Sequence, residues 1–177
     1  QLLGEINTLD FSVLNIHDVI DKVKRSASQG YGSHVSFEEN YDPSIPNVNG
    51  DFELLTQAFH NIIKNSCEAV GKKGGRITIK TSFYSGFALG SVGDKNKKLQ
   101  LMITFSDNGP GVSKNIISDI FDPFSTTKMG GSGLGLPLVA KIISEHGGFV
   151  ELDEIAEGAC FNIYLPAGDI SLSDRMH

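Results

Sequence analysis

Two periods alternate along the chain. From Ile16 to Gln29 the apolar residues Ile16, Val19, Ile20 and Val23 recur at three- and four-residue spacing, which predicts a helix with one buried face. Asn15 stands where an N-cap is wanted, and Gly30 and Gly32 close the segment. Asp51 to Val70 repeats the pattern at greater length, with Asp51 as cap and Leu55, Phe59, Ile62, Ser66 and Ala69 along the inner face. Gly135 to His146 predicts a third helix, with Leu138, Val139 and Ile142 inward and Gly147-Gly148 as the stop. Elsewhere the period is two. Residues 9–15, 34–40, 76–84, 99–106, 149–153 and 159–165 read as strands, the firmest being RITIKTSFY and LQLMITFS. Pro43 and Pro46 mark a turn, 115–120 a short helix, and 121–134 irregular chain.

The strands come in neighbouring pairs and do not alternate strictly with helices. This predicts an α/β two-layer sandwich, a mixed and mostly antiparallel sheet with about three long helices on one face. Residues 9–166 form the expected domain, residues 1–8 a linker from an upstream part, and 167–177 a polar tail. SGFALGSVGDKNKK, between two strands, reads as an exposed hairpin connection.

Composition narrows the choice of function. The chain has 177 residues and a net charge of -6, with only three, scattered arginines, so it is no general neutraliser of nucleic-acid phosphates. Cys67 and Cys160 form no CxxC, and the five histidines show no ligand spacing, which argues against a zinc site or a disulfide framework. No apolar run approaches the roughly 18 residues of a bilayer span. A cytoplasmic location without membrane contact is expected.

The chemistry concentrates in four places. Gly130-Gly131-Ser132-Gly133-Leu134-Gly135 runs into a predicted helix, whose N-terminus offers free N–H groups to phosphate. It matches neither common phosphate-loop pattern, and a plain turn is the alternative. Asp107-Asn108-Gly109-Pro110-Gly111 ends a strand. Its carboxylate can accept a hydrogen bond from an exocyclic amine such as adenine's, with glycines leaving room for a planar base; an Asp-initiated turn is the alternative. Asn61, Asn65 and Glu68 share a face of the second helix, where an amide oxygen suits Mg²⁺ and a solvated stripe is the plainer reading. Phe121 to Lys128 places two phenylalanines and a cation before the glycines, as either a closing loop or an ordinary one.

Taken in order, NIIKNSCEAV, DNGPGV, FDPFSTTK and GGSGLGLPLVAKIISEHGG resemble the N, G1, F and G2 boxes of the Bergerat-type ATPases, and among these the histidine kinases. The resemblance implies binding of ATP and Mg²⁺. Asn65 would hold the metal, Asn61 would line the same wall, and Asp107 would take the adenine amine beside Gly109 and Gly111. Thr127, Lys128, Ser132, Gly133, Leu134 and Gly135 would meet the phosphates. ATP-hydrolysing relatives carry a glutamate where this chain has Asn61, and an amide cannot act as a general base, so ATP would be held for another nucleophile.

His17-Asp18 superficially fits the family's phosphoacceptor motif but lacks its following proline, so His17 is read as structural and no residue here is assigned as catalytic. The acceptor is expected on a histidine-containing dimerisation domain outside this sequence. The lid DPFSTTK, the 81–98 insertion and NIHDVIDKVKRSA look like nitrogen-regulation sensor kinases of the NtrB type, which implies a response regulator and a PII-type signalling protein as partners. An anti-sigma-type serine kinase, which shares the fold, and a non-catalytic nucleotide-sensing module, against which Asn65, Asp107 and Lys128 argue, stand as alternatives.

Overall fold

The computed structural model describes residues 8–84, 100–113, 117–122, 135–154 and 157–168. A five-stranded sheet runs in the order β2 (Ser36–Tyr41), β4 (Arg76–Tyr84), β5 (Gln100–Asp107), β7 (Ala159–Pro166), β6 (Phe149–Glu154). β2 pairs parallel with β4, and the other three pairings are antiparallel. A second, two-stranded sheet joins β1 (Ser12–Leu14) to β3 (Val48–Gly50). The expected mixed, mostly antiparallel sandwich is therefore present.

Each helix forms for a local reason. Asn15 accepts the His17 N–H at 2.9 Å and starts α1 (Ile16–Gln29), which buries Ile16, Val19, Ile20, Val23 and Ala27. Asp51 Oδ1 accepts from the N–H groups of Glu53 and Leu54, both at 3.1 Å, and starts α2 (Phe52–Ala69). α3 (Gly135–Glu145) buries Pro137, Val139, Ile142 and Ile143. α2 is the central helix, packed against α1 on one side and α3 on the other.

The sheet's inner face supplies Ile77 and Ile79, then Leu101, Ile103 and Phe105, then Phe161, Ile163 and Leu165, all in the buried core. Register sets them side by side: Ile103 faces Ile163 and Phe105 faces Phe161. Phe59 of α2 meets Phe105 at a ring separation of 5.4 Å. Burial of one such ring contributes about 2–3 kcal/mol, so this contact is a main weld between the layers. On the opposite face, Thr104 donates to Asn162 Oδ1 at 2.8 Å and Tyr164 donates to Glu151 at 2.7 Å.

Several expectations need correcting. Ala69 is exposed: it is the last residue of α2, past the end of β5, and Cys67 takes the inner position instead. Leu138 is only partly buried, and Val139 with Ile143 faces the core. β2 begins at Ser36 and not at 34, and β3 appears after the Pro43–Pro46 turn where no strand was expected. The predicted 115–120 helix is a single 3-10 turn at Ile117–Asp119 among the described residues.

Candidate functional site

β5 ends at Asp107, which register places on the same face as Leu101, Ile103 and Phe105, toward the helices. Its side chain is 5% exposed. Oδ1 accepts from the Gly109 N–H at 2.9 Å and the Ala159 N–H at 3.3 Å. Both bonds end on one oxygen, so Oδ2 keeps acceptor capacity for a ligand. Asn108 faces the other way. Its Oδ1 accepts the Arg76 N–H at 2.8 Å and its Nδ2 donates to the Gly74 carbonyl at 2.9 Å, which pins the turn to the start of β4.

The glycines around Asp107 fit it closely. A Cβ on Gly109 would lie 3.0 Å from Asp107 Oδ1 and 3.1 Å from the Ala69 carbonyl. Gly111 has φ +76°, and its Cβ would come within 2.8 Å of the Gly158 carbonyl. Gly158, φ +82°, is the tightest: a Cβ there would stand 1.7 Å from the Asp107 carbonyl oxygen. Gly158 is a site residue that sequence reasoning missed. A single glycine in Glu157-Gly158-Ala159 gives no signal until the fold brings it under Asp107.

The second wall is α2. Asn61 and Asn65 are both half-buried on it. Gly135, at the start of α3, faces Asn65: among the described residues, a Cβ added there would meet Asn65 Nδ2, at 3.9 Å. The structure thus brings the amide of Asn65 to the N-terminal turn of α3, where backbone N–H groups and the helix dipole favour anions. Thr127, Lys128, Ser132, Gly133 and Leu134 lie outside the described residues. His17 is not part of this site. Its Nε2 bonds Thr81 Oγ1 at 2.7 Å and its ring stacks on Tyr41, on the side of α1 away from α3.

The Asp107 charge is felt at two buried thiols. Burial pushes the Cys67 thiol up to about 11, with smaller contributions from the Glu68 and Asp107 charges. Burial, then Asp153 and Asp107, also raises Cys160. Neither thiol is poised to ionise. Among the described residues no helix is long and apolar enough to cross a membrane.

A buried carboxylate at a strand end, flanked by glycines, thus faces an Asn-bearing helix and a second helix's N-terminus, the arrangement that the sequence boxes led one to expect. The chain belongs to the family of histidine kinase-, DNA gyrase B- and HSP90-like ATPases, which residues 50–169 match. It is 44% identical over 164 residues to a sensory histidine kinase/phosphatase NtrB of Rhizobium leguminosarum bv. phaseoli, covering 91% of this chain and 43% of that protein. A protein of the same name from Azospirillum brasilense is 39% identical over 170 residues, covering 96% of this chain and 42% of that one. The chain thus spans less than half the length of these relatives. Among solved structures, the catalytic domain of the histidine kinase ThkA superposes with a TM-score of 0.74 at 26% identity, covering 90% of this chain and 97% of that one. The mycobacterial sensor histidine kinase MprB shares the fold, with a TM-score of 0.73 at 24% identity, covering 89% of this chain and 98% of that one.

Proposed function

We propose that this chain is the ATP-binding, phosphate-donating part of a sensor histidine kinase acting in nitrogen regulation. The juxtaposition of Asn65 with the first turn of α3, beside the buried acceptor Asp107, is the observation that carries the reading. Asp107 Oδ2 takes the amine of the base. The Asn65 amide oxygen would hold Mg²⁺, which would neutralise phosphate charge when bound, and the α3 N-terminus receives the phosphate oxygens. Thr127, Lys128, Ser132, Gly133 and Leu134 complete the phosphate side. Asn61 stands where a hydrolase needs a base and cannot supply one, so the γ-phosphoryl group is kept from water. The terminal P–O bond then breaks in favour of a bond to an imidazole nitrogen of a histidine on a separate helical domain, and ADP leaves. The similarity to NtrB proteins supports a cytoplasmic location, a response regulator as the next acceptor and a PII-type protein as a regulator. A solved complex of ThkA with the response regulator TrrA, similar to this chain at 24% identity and a TM-score of 0.69, illustrates such a pairing for that kinase.

The test is calorimetric binding of a non-hydrolysable ATP analogue with and without Mg²⁺. Asn65→Ala should abolish the magnesium dependence. Asp107→Ala should weaken binding at least about tenfold, the cost of losing a charge-assisted hydrogen bond. If both variants bind like the parent, the site assignment is wrong.

A further inference from the structure

The last turn of α2 carries charge of the wrong sign for a helix end. A helix C-terminus is partially negative and favours cations, yet this turn has no basic residue and closes with Glu68-Ala69. Glu68 is exposed, so burial does not explain its place.

Its neighbours do. Asn61, Asn65 and Glu68 lie four and three residues apart, on one stripe of α2. α3 packs against α2, and Gly135 at its start faces Asn65. The carbonyl of Ala69, next to Glu68, borders Gly109 beside Asp107. Glu68 thus stands between the turn that follows Asp107 and the start of α3, at the exposed end of a stripe whose two asparagines are half-buried. The charges of Glu68 and Asp107 both act on the Cys67 thiol, so the two carboxylates flank one short stretch of helix. Two carboxylates and a negative helix end would repel a bare polyphosphate, and they would attract a cation.

We infer that Glu68 is a second determinant of the magnesium site: its carboxylate accepts a hydrogen bond from a water on the Mg²⁺ that Asn65 holds. This rests on the site reading above. Mg²⁺ is usually bound by one or two carboxylates together with substrate phosphates, and it keeps several of its waters. Asn65 offers only a neutral amide. Glu68, next on the same stripe, supplies the carboxylate, and a retained water makes the link. The residue therefore acts with opposite signs on the two forms of the nucleotide. It favours the magnesium complex and disfavours the free anion.

The experiment follows calorimetric binding of a non-hydrolysable ATP analogue, first without divalent metal and then at rising Mg²⁺, for the parent and for Glu68→Gln. The affinity of the analogue-bound chain for Mg²⁺ should fall about tenfold in the variant, as when an outer partner of a metal is removed. The metal-free analogue should bind the variant at least as tightly as the parent. A merely structural role would weaken binding of both forms, and simple repulsion would strengthen both. Either result overturns the proposal, and so does an unchanged affinity for Mg²⁺. A parent whose analogue binding ignores Mg²⁺ overturns the site reading itself, an outcome distinct from a parent that responds to Mg²⁺ and a variant that responds equally.

Discussion

Gly158 shows what one residue does for the site without touching a ligand. Its φ of +82° is strained for an L side chain, and its missing Cβ lets the Asp107 backbone lie against the turn before β7. Gly158→Ala adds both a left-handed strain and a methyl group 1.7 Å from the Asp107 carbonyl oxygen, so one strand end must move. We expect a loss of about 3 kcal/mol in urea denaturation, from strain and displacement together. Nucleotide affinity should also fall, because the Ala159 N–H that steadies Asp107 moves with the turn. A variant with parental stability and affinity would show that the turn yields freely. Asp107, Gly109 and Gly111 were legible because they are contiguous and carry their own turn chemistry. Gly158 was not, because close approach of two backbones is a property of the fold.

At the scale of elements, α2 depends on its cap. Asp51 is buried, and its carboxylate accepts from Glu53, Leu54 and, across 3.0 Å, the N–H of Asp10. Burial alone would raise its pKa. The backbone bonds from Leu54, Asp10 and Glu53, with a smaller contribution from His146, outweigh it and hold the group below the ordinary 3.8. A folded-state pKa below the unfolded one stabilises the fold above the unfolded value, and that contribution is lost as pH falls through the folded one. Asp51→Ala should therefore cost about 1–2 kcal/mol at pH 7, the usual worth of a cap. The gap between the two chains should close below pH 3.8, followed as urea midpoints at pH 7, 5 and 3. A gap that persists unchanged at pH 3 would mean the carboxylate's charge is not what caps the helix. The three helices were readable because their apolar spacing runs over several turns with caps at the ends. β3 escaped notice because three residues are too few to show alternation, and β2 shifted because it is an edge strand with mostly exposed side chains.

Across the whole molecule, α2 and α3 run antiparallel and join two ends with different tasks. Asn65 and Gly135 meet at the end proposed to hold nucleotide. At the other end the Asp51 N–H donates to His146 Nε2 at 3.0 Å, while His146 Nδ1 donates to the Ile142 carbonyl at 2.7 Å. In these bonds Nε2 accepts and Nδ1 donates. Phe11 stacks on that ring at 4.8 Å, and the Asp10 N–H completes the link to Asp51. One imidazole thus ties the segment entering the domain to the starts and ends of the helices that carry the site. No spacing rule could announce this cluster, since its members run from Asp10 to His146 along the chain. His146→Leu keeps an apolar contact for Phe11 but leaves the Asp51 N–H buried without an acceptor, at a cost of about 1–3 kcal/mol. His146→Gln, whose amide oxygen reaches to about the position of Nε2, should recover much of that loss. Because the broken bond is at the far end of both helices, Mg-ATP affinity should change by no more than about twofold, as for independent sites. Hydrogen exchange at the Asp10 and Asp51 amides should quicken in the leucine variant and slow again in the glutamine one, while amides beside Asp107 keep their parental rates. If the leucine variant loses nucleotide affinity in step with its stability, the two ends are coupled through α2 and α3, and the division of labour drawn here is wrong.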